Sequence, residues 1–209
     1  MEVTEKSNQK NQIKIEKLCF SCKNKTTKKC VKCEAAYYCS KECQVKDWSI
    51  HKLICGYSLF PNKTAEKSVM GILLPETGTK PIIDEVPLEF SNYLGESFYR
   101  TKSENFVLKK TGMVIKEVSY HYITENRSKP NRKLKNTLLF EYRDNFFNDG
   151  SLPNTTIREI TKHQMTHDWR GPVLITKMIG KPSEKMPDYI DIELNDFIDV
   201  IDYLKWYGS

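Results

Sequence analysis

The sequence predicts a two-part molecule: a small metal-stapled finger with short helices, then an α+β domain with a mixed or antiparallel sheet and a C-terminal helix. Three observations predict it. All seven cysteines of the 209-residue chain lie between Cys19 and Cys55, in closely spaced pairs. Beyond residue 68 the cysteines give way to short apolar and alternating runs suited to strands. Near the C-terminus, Phe197, Ile198, Ile201 and Leu204 form a stripe at helical spacing.

The cysteine segment reads C-x2-C (Cys19, Cys22), C-x2-C (Cys30, Cys33), C-x3-C (Cys39, Cys43) and H-x3-C (His51, Cys55). Two tetrahedral Zn2+ ions need eight ligands, and these residues supply eight. No cysteine remains for a disulfide or a nucleophile. With every position filled by protein, both ions are expected to be structural, not catalytic. A C-x2-C pair sits on a tight knuckle from which both sulfurs reach one ion. Cys39 and Cys43 are four apart, on one helical face. His51 and Cys55 repeat that spacing on what reads as a second short helix. Ser40 is placed to cap the first. So small a segment cannot bury enough surface to fold alone. Metal binding must supply the free energy, of order 10–16 kcal/mol per structural site.

The pattern C-x2-C-x7-C-x2-C-x5-C-x3-C-x7-H-x3-C resembles the MYND-type zinc finger. Tyr38-Cys39-Ser40, Cys43-Gln44, Asp47-Trp48 and His51-Lys52 match that family's second half. HIT-type fingers share much of the ligand order but place the histidine closer to the sixth cysteine. RING and PHD fingers place it differently. The resemblance implies an interleaved, cross-brace pairing: Cys19, Cys22, Cys39 and Cys43 on one zinc, and Cys30, Cys33, His51 and Cys55 on the other. It also implies a role for Gln44 and Trp48, which match residues lining a shallow groove in family members that bind proline-rich peptides. An indole face stacks on proline rings, and a glutamine amide pairs with peptide backbone. The alternative is that Trp48 covers the zinc knuckles and Gln44 is a plain helix-surface residue.

Residues 1–18 read as a flexible basic arm and 56–68, with Pro61 and Asn62, as a linker. The α+β domain then spans 69–209. Val69 to Leu74 is a short apolar run, and Pro81 to Leu88 resumes extended chain. Ser91 to Tyr99 reads as a loop or short helix, and Phe106 to Leu108 as a short strand. Val114, Val118, Tyr120 and Tyr122 alternate as one buried face of a strand. Leu138, Phe140 and Tyr142 repeat the pattern, so the two form a hairpin. Its tip, Asn126 to Asn136, is basic. A polar, weakly helical run follows Thr156, with His163 and His167 one turn apart, read as surface histidines. Gln164 stands where an H-E-x-x-H glutamate would be. Val173 to Ile179 and Tyr189 to Leu194 read as strands. Asn195 or Asp196 caps the last helix, on which Asp196, Asp199 and Asp202 are expected to be a solvated charge run. Leu74-Pro75, Lys80-Pro81, Trp169-Arg170-Gly171-Pro172 and Tyr189 to Ile192 resemble the tail of some fungal MYND-finger proteins. That tail implies a domain and no chemistry.

The net charge is +6. It falls wholly within residues 1–56, since residues 57–209 hold 21 basic and 21 acidic side chains. Zinc-bound cysteines are thiolates, so two loaded ions and seven thiolates bring the formal excess nearer +3. That weakens a nucleic-acid reading, which lacks a recognition helix or stacking signature. No apolar run approaches the roughly 20 residues of a membrane span, and no signal-like apolar region opens the chain. Thiols used as ligands fit a reducing compartment, cytoplasm or nucleus.

The expected function is a zinc-binding protein-interaction module that docks a protein or peptide, proline-rich segments among them. The rival reading is an enzyme related to the MYND-bearing lysine methyltransferases. Those carry an Asn-His-Ser-Cys string and a later cysteine cluster, and this chain has neither, so no enzyme is expected.

Overall fold

The computed structural model describes residues 17–57, 67–93, 95–113, 115, 117–127, 132–143, 145, 147–180 and 188–208. Most of the arm and linker, Val114 and the centre of the basic tip lie outside them. The chain divides into two compact units, Met1–Asp47 and Trp48–Ser209, and the division falls inside one continuous helix.

The first unit opens with two short strands, β1 (Lys17–Leu18) and β2 (Lys25–Thr26), paired antiparallel around the first cysteine knuckle. Helix α1 (Lys41–Ile54) follows. Ser40 Oγ accepts from the Cys43 N–H at 3.2 Å, the expected N-cap bond. Two short helices were expected where α1 runs unbroken for 14 residues. Nothing between Glu42 and Ile54 stops it, because the segment has neither glycine nor proline.

The second unit is built on an antiparallel sheet. Its strands are β3 (Ser68–Leu74), β4 (Ile82–Tyr93), β5 (Glu96–Thr101), β6 (Val118–Asn126), β7 (Arg132–Arg143), β8 (Val173–Met178) and β9 (Tyr189–Ile190). They lie in the order β5-β4-β3-β8-β7-β6, with β9 beside the far end of β8. Strands β3 and β8 are buried throughout, which explains why their sequences are apolar runs and not alternating ones. Gly71 is required where β3 passes between its neighbours: a Cβ there would stand 2.6 Å from Val86 Cγ2 and 3.1 Å from the Ile175 carbonyl.

Helices cover both faces. Helix α2 (Ser103–Thr111) lays Phe106 and Val107 on a core of Val69, Leu73, Val86 and Leu174. Phe106 to Leu108 is therefore helix, not strand. The helix starts one residue after β5 and ends on Gly112 at φ 72°, a left-handed cap. Ser91 to Tyr99 is not a loop or helix but the β4–β5 hairpin, Phe90 opposite Tyr99. On the other face, α3 (Thr155–Ile160) and α4 (Leu194–Trp206) adjoin Trp169 and Phe140, whose ring stands 5.1 Å from that of Tyr203.

The β6–β7 hairpin is present, and Leu138 and Phe140 of β7 are buried as expected, but the faces of β6 are reversed. Tyr120 is 50% and Tyr122 45% exposed, while Ile123 is buried and His121 contacts Tyr203. The core beneath α2 reaches only Val118 of this edge strand, so the even face beyond it meets solvent. Two further expectations, the solvated aspartate run and the cap of the last helix, fail because these aspartates make specific polar pairs. Asp199 is 6% exposed and, with Asp202, accepts from Asn126 Nδ2 at 2.7 and 3.2 Å. Asp196 accepts from the buried Lys177 at 2.9 Å. The N-cap of α4 is Glu193, whose N–H is bound by Asp196 at 2.6 Å. The aspartates thus anchor α4 to the sheet and are not a solvated run.

Candidate metal centre and finger surface

Each C-x2-C pair is held by the same local turn. The N–H of Lys23 donates to the Cys19 carbonyl at 2.9 Å, and that of Glu34 to the Cys30 carbonyl at 2.8 Å. Lys23 and Glu34 have φ of 65° and 55°, left-handed values that turn the chain back after the second sulfur. The spacing alone did not show this device, since neither residue is the usual glycine or asparagine. Between the knuckles, Phe20 N–H donates to Tyr37 O at 2.8 Å and Tyr38 N–H to Lys28 O at 3.0 Å, tying the loops together. The Tyr38 hydroxyl donates to Asp47 on α1. Burial and this carboxylate push the phenol well above its ordinary range. Tyr38 and Asp47 together clamp α1 on the knuckles.

The ligand atoms form two groups: Cys19, Cys22, Cys39 and Cys43, and Cys30, Cys33, His51 and Cys55. Within each group they all lie within 4.8 Å of one another. In the first, Cys22 Sγ is 3.3 Å from Cys39 Sγ, which is 3.5 Å from Cys43 Sγ. Tetrahedral Zn–S bonds of about 2.3 Å require edges of roughly 3.8 Å, so the cluster has the size of a zinc cage. The interleaved pairing is the observed one. Cys39 precedes α1 and Cys55 follows it, so one helix carries or flanks ligands to both ions.

The electrostatics also suit a cation. Burial raises the Cys19 thiol, but N–H groups of Cys22, Cys39 and Ser21 aimed at its sulfur outweigh that and bring it to about 6. Contact with the Cys22 and Cys43 sulfurs pushes Cys39 up to about 12. Such crowded sulfurs cannot all ionise unaided, and a divalent ion bound in place of the protons lets them. His51 is 2% exposed, which fits a neutral imidazole ligand. Two Zn2+ ions, four ligands each, fit the residues present.

Gln44 and Trp48 lie one turn apart on α1, Gln44 half-buried and Trp48 45% exposed. The Trp48 ring centroid is 5.8 Å from that of His51, tilted by 56°. One edge of the indole thus rests on a zinc ligand while much of its surface is open. The histidine pair does not share a helix. Helix α3 ends at Ile160, and Lys162 and His163 both take left-handed φ. His163 is exposed beside Glu159, whereas His167 is partly buried, edge-on to Trp169 and Tyr207. Among the described residues the two finger groups are the only clusters of three or more candidate ligands.

A match to the MYND finger family spans residues 19–55. Similar proteins include a zinc finger MYND domain-containing protein 10 homolog of Drosophila melanogaster, 51% identical over 37 residues, or 18% of this chain and 8% of that protein. The N-lysine methyltransferase SMYD2-A of Danio rerio is 54% identical over 37 residues, covering 18% of this chain and 8% of its own. Ubiquitin carboxyl-terminal hydrolase 19 of Arabidopsis thaliana is 38% identical over 77 residues, 28% and 12% of the respective chains. The chain thus spans about a tenth of the length of these relatives. No solved structure matches. None of these relatives' names bears on the likeness of residues 69–209 to a fungal tail. Ligand order, interleaved clusters and family match agree, and residues 19–55 are a MYND finger, a zinc-stabilised protein-interaction module.

Proposed function

We propose that the chain is a non-catalytic adaptor whose finger docks a proline-rich peptide across Gln44 and Trp48. The observation that carries this is the half-exposed Trp48 indole, one helical turn from Gln44 and steadied from below by the His51 ring. A flat, rigid aromatic face suits a polyproline segment, which arrives with little entropy left to lose. Filled coordination at both ions leaves the metals no place to activate water or substrate, which supports a docking role over a metal-catalysed one. Zinc thiolates suit a reducing compartment, so we place the protein in cytoplasm or nucleus.

The test uses the full zinc-loaded chain, 15N-labelled, titrated with proline-rich peptides. The Trp48 indole N–H is assigned by its loss in Trp48→Ala. A saturating shift of that signal, abolished in Gln44→Ala, supports the groove. No shift at about millimolar peptide, where even weak docking would register, overturns it.

A further inference from the structure

A cavity of about 760 Å3 belongs to the second compact unit. Its walls come from the C-terminal half of α1, the β3–β4 turn, the end of α3, and α4. The Tyr57 hydroxyl donates to the Pro81 carbonyl at 2.9 Å, tying the chain after α1 to the start of β4 along one side. Four lysines line the space: Lys52, Lys80, Lys162 and Lys205. The one acidic lining residue, Glu159, lies 3.6 Å from His163 Nε2. None of the four ammonium groups is ion-paired among the described residues. The floor between them is aliphatic, formed by Ile50, Leu53, Ile160 and Ile201.

Two of the lysines have an ordinary local explanation. Lys52 and Lys205 lie in the last turns of α1 and α4, where a cation complements the helix dipole. That explanation does not extend to Lys80, in the β3–β4 turn. Nor does it suit Lys162, which has φ 55°, a left-handed conformation that favours glycine or asparagine. Four like charges around an apolar floor repel one another and focus a positive potential into the cavity. A complementary occupant needs carboxylates at the rim and aliphatic groups at the base.

We propose that this cavity binds an acidic peptide segment: aspartate or glutamate side chains meet the four lysines while aliphatic side chains rest on the isoleucine and leucine floor. Nucleic acid is a poorer fit, because none of the described lining residues is aromatic and bases would have nothing to stack on. A small inorganic anion is poorer still. The bordering helix ends are C-terminal, so they present no ring of N–H donors. The site is separate from Gln44 and Trp48, and its test does not depend on the groove.

The experiment measures fluorescence anisotropy of a labelled peptide of alternating leucine and glutamate, with the full zinc-loaded chain at low salt. Lys80→Glu/Lys162→Glu is compared with Lys133→Glu/Lys135→Glu, an equal charge change at exposed positions of β7. Zinc content and circular dichroism establish that both variants fold. The expected result is saturable binding that weakens at least about tenfold in the cavity variant and less than about twofold in the control. Equal weakening in both would show attraction to bulk charge and overturn the proposal. So would the absence of binding by the parent chain, displacement of the peptide by inorganic phosphate at equal charge concentration, or tighter binding of a single-stranded oligonucleotide with the same dependence on Lys80 and Lys162.

Discussion

Glu141 shows how one residue governs a pH response. It lies near the C-terminal end of β7 with no exposed surface, on the α2 side of the sheet. Thr101 Oγ1 donates to its two carboxylate oxygens at 2.9 and 2.8 Å. These bonds favour the charged form, but desolvation is larger and pushes the carboxyl up to about 7. An unfolded glutamate ionises near about 4.3, so between the two values the folded state holds the extra proton. Stability therefore falls as pH rises through that window, and the loss is complete above the folded value. Glu141→Gln removes the titration. We expect the variant to gain on the parent between pH 5.5 and 8, by roughly 2–3 kcal/mol, in urea melts of the zinc-loaded chain at each pH. Parallel stability profiles for the two proteins would contradict a neutral, buried Glu141 in the fold.

Helix α4 is fixed to the sheet by polar contacts as well as by its apolar stripe. The Lys177 side chain is 7% exposed, with Asp196 at 2.9 Å and Glu193 at 3.5 Å. The same Asp196 carboxylate binds the N–H of Glu193 and so caps the helix. Asp196→Ala strips the cap and leaves a buried ammonium with only the more distant Glu193. The expected cost is roughly 2–4 kcal/mol in denaturant melts. Adding Lys177→Met should recover part of it, because the ammonium no longer needs a counter-charge. A double variant as unstable as the sum of the singles would mean that the pair is not coupled.

At the scale of the molecule, the finger and the sheet draw stability from different sources. The finger buries few apolar side chains, among them Ala36 and Tyr38, and depends on its ions. The sheet has its own core, including Leu73, Val86, Phe140, Leu174 and Phe197, which needs no metal. Mass spectrometry under native conditions should show two Zn2+ per chain. Cys22→Ser should lower that to one or to none. Chelation should abolish the dispersion of the finger's amide signals while the near-ultraviolet dichroism of the buried Trp169 persists. Loss of both together would make the sheet dependent on zinc and refute separate stabilisation.

The sequence by itself determined the eight ligands, their number of ions, the cap at Ser40, the buried strands β3 and β8 and the closing helix. Those features rest on short-range spacing or on continuous apolar runs, and both are legible along one chain. Tertiary structure alone decided the rest. Phe106 is helical because α2 fills one face of a sheet whose strands come from distant segments. Tyr120 faces solvent because that helix is too short to cover the edge strand. Asp199 is buried because Asn126, 73 residues away, meets it there. The same holds for the lysine-lined cavity, whose four charges are scattered from residue 52 to 205. A local pattern reports which residues share a face; only the packed chain decides what lies opposite that face.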